Sequence, residues 1–542
     1  MENEQLFSSH FFLSPFKWQI DNRAELKFSE QNSIKDIKFQ PNSSWRPKEL
    51  IQQDVSTQET FSEKNFFNTF THATLFNENN NYNIAQYYER VETYQKEVFY
   101  VIHVIAQKEN HYKLKLKSIG LNLYTTGVGV LVFHFENYQY SDFEDIKRIN
   151  QFGRKLYPNL TNEKGITEAK LIHLADYISI EGLNGNPADY YEDFSSYGSD
   201  TELKASKFIK SLVSDFSAEI IIKPVVDDKM FVCCWYGNNE ISEKIEKNYE
   251  NYKLDDEWYS LLFMEHDSTN FYNTEYRDKI IRHNNYTQWQ KKGMLYGCTP
   301  NSLVFTSNLN PEFLIYYFER VYVKLATLIL IQKTSQFKFR DEVVNISSNN
   351  APEVKLYSQL NDLYLSYIYF QNTICFFEPT SQEQGLDLYK MLQDHLKVNT
   401  GMTDLAERIE KLHKYLSVVL ENNQTEEIKA TEIYTLKAAK STDEQTKKLT
   451  EMQGESIKLT KNSEKFNNIL KYLTVLTVYF LSANLIVAFL ALKPEDLIGG
   501  DYSMVAHYSI LAAIAFIPPI IVVIVVDFII IKKFVKKNSD LS

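Results

Sequence analysis

The sequence predicts an α/β cytoplasmic domain, followed by a long helical stalk and two C-terminal transmembrane helices. Three observations predict this fold class: alternating apolar strands within residues 91–309, a stretch without proline at 401–472, and two apolar runs, Leu473–Leu492 and Val505–Ile531. Strands and helices do not alternate in a strict βαβ order, which favours a mixed sheet over a doubly wound parallel sheet.

The α/β domain is indicated by period-two alternation and by β-branched residues between glycine and asparagine. Strands are predicted at 97–107, 111–124, 127–137, 170–180, 217–226, 229–237, 257–267 and 302–308. The first three are expected to share one sheet, with a hairpin turn at Gly127. Apolar residues at helical spacing predict a helix between Ser141 and Gly153.

The run Leu473–Leu492 contains no charged residue. At ~1.5 Å per residue, a helix of this length crosses a hydrocarbon core of ~30 Å. Lysines flank the pair of runs: Lys461, Lys465 and Lys471 come before the first, and Lys532, Lys533, Lys536 and Lys537 after the second. The positive-inside rule therefore predicts a multi-pass protein of the bacterial inner membrane, with both termini in the cytoplasm.

These patterns divide the chain into eight segments. They are a polar N-terminal extension (1–90), the mixed α/β domain (91–309), a helical region (310–400), a stalk helix (401–472), transmembrane helix 1 (473–492), an external loop (493–504), transmembrane helix 2 (505–531) and a basic cytoplasmic tail (532–542). The extension receives no role from its sequence.

Composition excludes some classes of protein. The net charge of −12 argues against a general nucleic-acid binder, because phosphate contacts need a basic surface. The four cysteines lack a CxxC pair and are predicted to be buried thiols in a reducing compartment: Cys233, Cys234, Cys298 and Cys375. The sequence contains no nucleophile–base pair, metal triad or paired-carboxylate motif, so we expect neither an enzyme nor a catalytic residue, and metal ligands stay unassigned.

One face of the first run carries small and polar residues at steps of three and four: Thr474, Thr477, Leu481, Asn484 and Ala488. Polar residues inside a membrane seldom face lipid, which favours a pore lining. The alternative is that Thr and Asn only bond neighbouring helices.

The junction of stalk and first run resembles the CorA family of divalent-cation transporters and channels. Matching positions are Asn467, Lys471, Leu473, Thr474 and Phe480. The resemblance implies a homopentamer and adds Asn467, Leu470 and Lys493 to the pore lining. Glu495, Asp496 and Asp501 would then surround the outer mouth, where they could set ion preference or only anchor the loop.

The family's Gly-Met-Asn motif is replaced here by Ala491, Leu492 and Lys493. A ring of lysines would repel the hydrated Mg²⁺ ion that the family's asparagine ring receives. The chain is similar to the CorA-like proteins associated with type III CRISPR systems, in three stretches: TTGVGVLVFHFEN, IKRINQFGRKLYP and YTQWQKKGMLYGCTPNSLVF. That similarity implies a membrane channel or effector of antiviral defence, opened by a nucleotide second messenger, a conjugate of S-adenosylmethionine and AMP.

Two alternatives remain open at this point. One is a magnesium or other divalent metal cation transporter, for which Mg²⁺ would be the ion bound; the other is a non-conducting scaffold anchored in the membrane. No covalently bound cofactor is implied.

Candidate ligand residues lie in two groups in the α/β domain. Arg148, Asn150 and Arg154 could contact phosphate, because guanidinium groups suit phosphate oxygens, and surface salt bridges explain them about as well. Arg282, His283, Tyr286 and Trp289 combine aromatic faces with a cation, as an adenine pocket would. Core packing of the two aromatic residues is the simpler alternative.

Overall fold

The computed structural model describes residues 5–23, 26–48, 63–77, 84–105, 109–156, 174–194, 205–225, 229–247, 256–264, 273–309, 312–349 and 351–438. The chain divides into two units, Met1–Asn423 and Gln424–Ser542. The strands and the cavity below belong to the first unit. Of the second unit the structure describes only residues 424–438, as the end of a helix.

The described strands form one 13-stranded sheet. In chain order they are β1 (Ser8–Ile20), β2 (Trp45–Pro47), β3 (Ala85–Arg90), β4 (Phe99–Val104), β5 (Asn110–Tyr124), β6 (Val128–Asn137), β7 (Tyr177–Glu181), β8 (Tyr191–Asp193), β9 (Ile220–Pro224), β10 (Phe231–Gly237), β11 (Asn285–Tyr286), β12 (Leu295–Thr299) and β13 (Ser302–Ser307). Their main order is β11-β12-β13-β10-β1-β6-β5-β4-β7-β8. β10 and β13 are parallel, whereas the other described pairs are antiparallel.

The described helices surround this sheet. They are α1 (Phe28–Gln31), α2 (His72–Leu75), α3 (Glu92–Gln95), α4 (Phe143–Gly153), α5 (Lys207–Phe216), α6 (Asn239–Lys247), α7 (Asp256–Phe263), α8 (Thr274–Asn284), α9 (Glu312–Tyr317), α10 (Val323–Ser348), α11 (Glu353–Thr373), α12 (Glu383–His395) and α13 (Val398–Ala438). One π-helical turn, Phe318–Tyr322, joins α9 to α10. Short 3₁₀ turns occur at Ile34–Asp36, Thr69–Thr71, Pro187–Tyr190 and Gln290–Lys292.

Strand β1 lies at the centre of the sheet and is buried on both faces. Phe12 and Trp18 pack into one hydrophobic core, whereas Phe11 and Leu13 pack into another. Side chains of a strand alternate between its two faces, so a central strand covered on both sides reads as a nearly continuous apolar run. Helix α10 packs in the second core, through Leu328 among others.

The structure corrects the predicted fold class. The prediction combined the α/β domain with two transmembrane helices, and the structure supports a large mixed sheet with helices. No helix among the described residues is long and apolar enough to cross a membrane. The predicted spans, 473–492 and 505–531, lie outside the described residues, as do the loop 493–504 and the tail 532–542.

The same finding overturns two related predictions. The membrane-protein, ion-channel and magnesium-transport classes, and a multi-pass location in the inner membrane, all depended on helices able to cross a bilayer. The described residues contain none. An apolar run in the sequence satisfies a length criterion for a span, and length alone does not establish the helix that would cross.

Two local predictions differ from the structure. Residues 1–90 received no role, yet they supply β1, which pairs with β6, β9 and β10. Residues 257–267 were predicted to be a strand, and Asp256–Phe263 is helix α7. Trp258, Leu261 and Leu262 are all buried there, so the apolar run reflects a buried helix, which periodicity does not separate from a buried strand.

Other local predictions are confirmed. Strands β4, β5 and β6 are adjacent in one sheet, and Gly127 adopts the left-handed conformation (φ 72°) in the hairpin between β5 and β6. Helix α4 ends at Gly153 as predicted. The four cysteines are free thiols; the prediction that they are buried is confirmed for Cys233, Cys234 and Cys298, whereas Cys375 is half-buried.

Residues 401–438 of the predicted stalk belong to α13, which has 41 described residues and a length of ~60 Å at ~1.5 Å per residue. Lys397, directly before this helix, has a left-handed backbone (φ 52°) and separates it from α12. The remainder of the predicted stalk, 439–472, lies outside the described residues.

Candidate ligand-binding site

A cavity of about 470 Å³ opens where the central strand changes partner. β1 pairs with β10 as far as Leu13, opposite Phe231, and with β9 from Phe16 onward, opposite Pro224. Ser14 and Pro15 lie in the gap and line the cavity. Proline has no N–H to donate, so it is suited to a position where a ladder is interrupted.

The walls of the cavity are largely apolar. Phe16 and Phe231 come from the sheet, Leu330 and Phe337 from helix α10, and Ile209 from helix α5. Small-molecule sites are typically clefts of ~300–1,000 Å³ with apolar and aromatic walls and a few polar groups. This cavity has both the size and the wall chemistry of that class.

Two lysines, Lys229 and Lys333, also line the cavity. The Lys333 ammonium lies 5.0 Å from the centre of the Phe337 ring. Burial lowers the pKa of Lys333, and the positive charges of Arg340 and Lys397 lower it further. Within the described part of the chain, no carboxylate lies within 4.0 Å of the ammonium of Lys229 or Lys333.

A cation that is partly desolvated and lacks a counter-charge is costly, and an anion that entered the cavity would offset that cost. The cavity is therefore suited to a ligand that carries negative charge together with an aromatic or apolar portion. Phosphate oxygens suit the lysines, since an ammonium group binds phosphate as a point charge.

The cavity adjoins the start of the long helix α13. Leu396 lines it and comes two residues before Val398, where α13 begins. Gln336, next to the cavity residue Phe337 on α10, donates from Nε2 to the Val398 carbonyl at 2.8 Å. Arg340 donates to Asp404 of α13 at 2.9 Å. A change in the position of α10 would therefore shift the first turns of α13 through these two hydrogen bonds.

Helices α10 and α13 also approach closely at Gly401. A Cβ atom at this position would overlap Gln336 Oε1, so the absence of a side chain permits the contact. This pairing ties the cavity wall to α13 by packing as well as by hydrogen bonds.

Of the first predicted group, Asn150 is completely buried in a chain of hydrogen bonds. His10 Nδ1 donates to Asn150 Oδ1 at 2.7 Å, Ser8 Oγ donates to His10 Nε2 at 2.8 Å, and Asn137 Nδ2 donates to Ser8 Oγ at 2.9 Å. Burial lowers the pKa of His10 to about 4; the Asn150 hydrogen bond opposes this shift and the charge of His134 adds to it. This asparagine has a structural role in the interior.

Arg148 and Arg154 are also buried, at 5% and 4% exposure. The Arg148 guanidinium lies 5.8 Å from the Phe152 ring centre, within its own helix. Arg154 directly precedes Lys155, which forms a β-bridge with Lys229 on the cavity wall. Arg154 thus lies near the cavity wall, whereas Arg148 packs against Phe152 of its own helix, α4.

The second predicted group lies on α8 and the segment that follows it. Arg282 and His283 are exposed, Tyr286 is half-buried and Trp289 is 37% exposed. The His283 and His395 rings are 5.1 Å apart. The second predicted group therefore contacts His395, which directly precedes the cavity residue Leu396. None of the seven predicted ligand residues is among the described residues that line the cavity.

The predicted pore and outer-mouth residues lie outside the described residues. They are Asn467, Leu470, Thr474, Thr477, Leu481, Asn484, Ala488, Lys493, Glu495, Asp496 and Asp501. The sequence reasoning missed Lys229, Lys333 and Phe337. A signal was present for Lys333, which is the first charged residue after the largely apolar stretch of α10 from Leu325 to Ile331.

A separate cluster in the described part of the chain could hold a metal ion. His134, Glu136 and Glu319 bring one ligand atom each within 4.8 Å of one another.

No family model, curated protein or solved structure matches this chain.

Proposed function

We propose that this chain is a CorA-like effector of antiviral defence that responds to a nucleotide second messenger bound in the cavity beside α10. The observation that carries the proposal is the pair of lysines without a carboxylate partner among the described residues, Lys229 and Lys333, in a cavity with phenylalanine walls. The ligand implied by the sequence resemblance is the conjugate of S-adenosylmethionine and AMP.

The chemistry of such a ligand matches the cavity in three ways. Its phosphate would supply a negatively charged partner for Lys229 and Lys333, which have no carboxylate partner in the described part of the chain. Its adenine rings can stack on aromatic walls, a contact worth ~1–3 kcal/mol per base in nucleic-acid complexes. A volume of about 470 Å³ accommodates at least one nucleoside portion.

The proposed response passes from α10 to α13. A ligand shifts a conformational equilibrium only through different affinity for its two states. Contacts from Lys333 and Phe337 to the ligand would favour one position of α10, and the Gln336 and Arg340 hydrogen bonds would transmit that position to α13. Assembly into a homo-oligomer, a pentamer by the resemblance, is part of the proposal.

The two alternatives predicted from the sequence, a divalent-cation transporter and a membrane-anchored scaffold, depended on the two membrane helices. They are not proposed here.

The test is isothermal titration calorimetry of the full chain with the conjugate of S-adenosylmethionine and AMP. Binding should weaken ~10- to 100-fold in Lys333→Gln and again in the double variant with Lys229→Gln, because a hydrogen bond to a charged group contributes ~1.5–3 kcal/mol. Lys210→Gln is the matched control: Lys210 is exposed on α5, beside the cavity residue Ile209. Absence of binding by the wild-type chain, or equal binding by the double variant, would contradict the proposal.

A further inference from the structure

The cluster of His134, Glu136 and Glu319, called here the ion cluster, brings together β6 and the π-helical turn before α10. His134 is 5% exposed, and the carboxylates of Glu136 and Glu319 are each 15% exposed. The His134 ring is held flat against Phe11, with ring centres 3.9 Å apart and an interplanar angle of 17°. These ligand types are therefore gathered at a site that is mostly shielded from solvent.

The distances between the groups suit a shared cation. His134 Nε2 and Glu319 Oε1 are 3.3 Å apart. Two ligands at ~2.0–2.1 Å from a tetrahedral Zn²⁺ ion are ~3.3–3.4 Å apart. Ser9 Oγ lies 3.2 Å from His134 Nε2 and donates to Glu319 Oε1 at 2.9 Å, so it stands where a further oxygen ligand or a bound water would be supported.

One cationic group already stands between the two carboxylates. The Lys117 ammonium is 2.7 Å from Glu136 Oε1 and 3.5 Å from Glu319 Oε2. The Lys117 side chain is 48% exposed, so its ammonium would reach solvent if a metal ion displaced it from the two carboxylates.

Two backbone irregularities deliver side chains to this place. The register of β5 against β6 shifts between Leu116 and Ser118, so Lys117 is the extra residue of a β-bulge. Glu319 lies in the π-helical turn Phe318–Tyr322. β-bulges and π-turns are irregularities that recur next to functional sites, and here they are independent features of two separate elements.

An outer contact also fits a ligand set. The Tyr138 hydroxyl donates to Glu136 Oε2 at 2.7 Å, which leaves Oε1 of that carboxylate directed at the cluster. Hydrogen bonds of this kind orient ligating carboxylates in metal sites.

We propose that His134 Nε2, Glu136 and Glu319 bind one divalent transition-metal ion of the Zn²⁺ class, with Lys117 occupying the position when the metal is absent. Binding displaces the Lys117 ammonium to solvent, and His134 binds through an Nε2 that carries no proton, as a ligating imidazole nitrogen must. An imidazole ligand favours Zn²⁺ over Mg²⁺, which prefers oxygen ligands and retains its water. The site is separate from the cavity, so its failure leaves the proposed function standing.

The experiment is calorimetric titration of the untagged full chain with ZnCl₂ alone, and with MgCl₂ alone as the second arm. The expected result is one Zn²⁺ per chain and no Mg²⁺ binding that depends on His134. Glu319→Gln and His134→Gln should each weaken Zn²⁺ binding more than ~100-fold, beyond the range for an outer-shell change. Absence of Zn²⁺ binding, or binding unchanged in both variants, would overturn the proposal.

Lys117→Gln keeps the test decisive if the ligand variants fold poorly. Removing the competing ammonium should tighten Zn²⁺ binding ~10-fold or more, since like charges at close range repel. Lys113→Gln is its matched control: Lys113 lies on the same strand, is 43% exposed and pairs with Glu181 at 2.8 Å, outside the ion cluster. Equal Zn²⁺ affinity in Lys117→Gln and Lys113→Gln would contradict the assigned position of the metal.

Discussion

Two shielded cations in this chain differ in their surroundings. The Arg90 guanidinium, 1% exposed, forms two hydrogen bonds to Glu92 at 2.6 and 3.0 Å and lies 5.6 Å from the Trp45 and Tyr190 ring centres. Lys333 is half-buried beside Phe337 and has no carboxylate partner among the described residues. The first charge is satisfied within the fold, and the second is available to a ligand.

This difference separates a structural role from a binding role. Burial would raise the pKa of Glu92, but Arg90 outweighs it and holds that pKa below its ordinary value. The pKa of Lys333 is lowered by its surroundings, which means that the fold disfavours its charge. Substitutions at Arg90 and Glu92 should therefore change stability, whereas substitutions at Lys333 should change ligand affinity.

The largest effect is expected for Glu92→Gln. This change leaves the Arg90 charge buried, and Asp215, at 3.1 Å, is then its remaining carboxylate partner among the described residues. Removing one partner of a buried pair costs ~3–5 kcal/mol, so the free energy of unfolding should fall by about that amount in urea titrations. A loss below ~1 kcal/mol would place the pair among surface salt bridges and would remove the contrast with Lys333.

Stability at acid pH should depend on His10, a second buried polar group whose hydrogen bonds are made within the fold. Its pKa in the folded chain is about 4, against 6.5 for an ordinary histidine, so the unfolded chain binds more protons between these pH values. The stability that neutral His10 contributes is therefore fully present above pH ~6.5 and is lost as the pH falls towards 4, by an upper bound of about 3.5 kcal/mol at ~1.4 kcal/mol per pKa unit. Unfolding at several pH values should show this slope in the wild type and not in His10→Gln; equal slopes would contradict the assignment.

An intermediate effect is expected at the contact between α10 and α13. In Gly401→Ala the new Cβ overlaps Gln336 Oε1, and overpacking of this kind costs ~1–3 kcal/mol. The double variant with Gln336→Ala should recover part of the loss, which urea unfolding would measure. Additive losses would show that the two residues do not contact each other in solution.

The smallest change in stability is expected for Lys333→Gln, within ~1 kcal/mol, because it removes a charge that the fold disfavours.

Ligand affinity of the wild type should decline as the pH rises through the lowered pKa of Lys333, since only the ammonium attracts an anion. Lys333→Arg should flatten this decline because arginine keeps its charge at these pH values. Calorimetry across the alkaline range distinguishes the two curves.

The sequence predicts part of this fold because some patterns are local. Alternation in residues 111–124 and the glycine at 127 are sufficient for the β5–β6 hairpin. The central position of β1 is not local: it depends on pairing with β6 and β10, more than 100 residues away along the chain. Such partners are invisible to periodicity within one segment.

The candidate site shows the same limit. Arg148, Asn150 and Arg154 have the chemistry that phosphate needs, and Asn150 is already bonded to His10, which lies 140 residues earlier. Lys333 becomes a candidate only when α10, β1 and Leu396 enclose one cavity. The ion cluster likewise requires the bulge at Lys117 and the π-turn at Glu319, neither of which has a sequence signature.

Hydrogen–deuterium exchange with and without the S-adenosylmethionine–AMP conjugate would report on both the cavity and the start of helix α13 in one experiment. We expect slower exchange in peptides covering Leu330–Phe337 and the first turns of α13 from Val398, and no such change in Lys333→Gln at the same ligand concentration. Unchanged exchange in both regions of a wild-type chain that calorimetry shows to be saturated would contradict the proposed function.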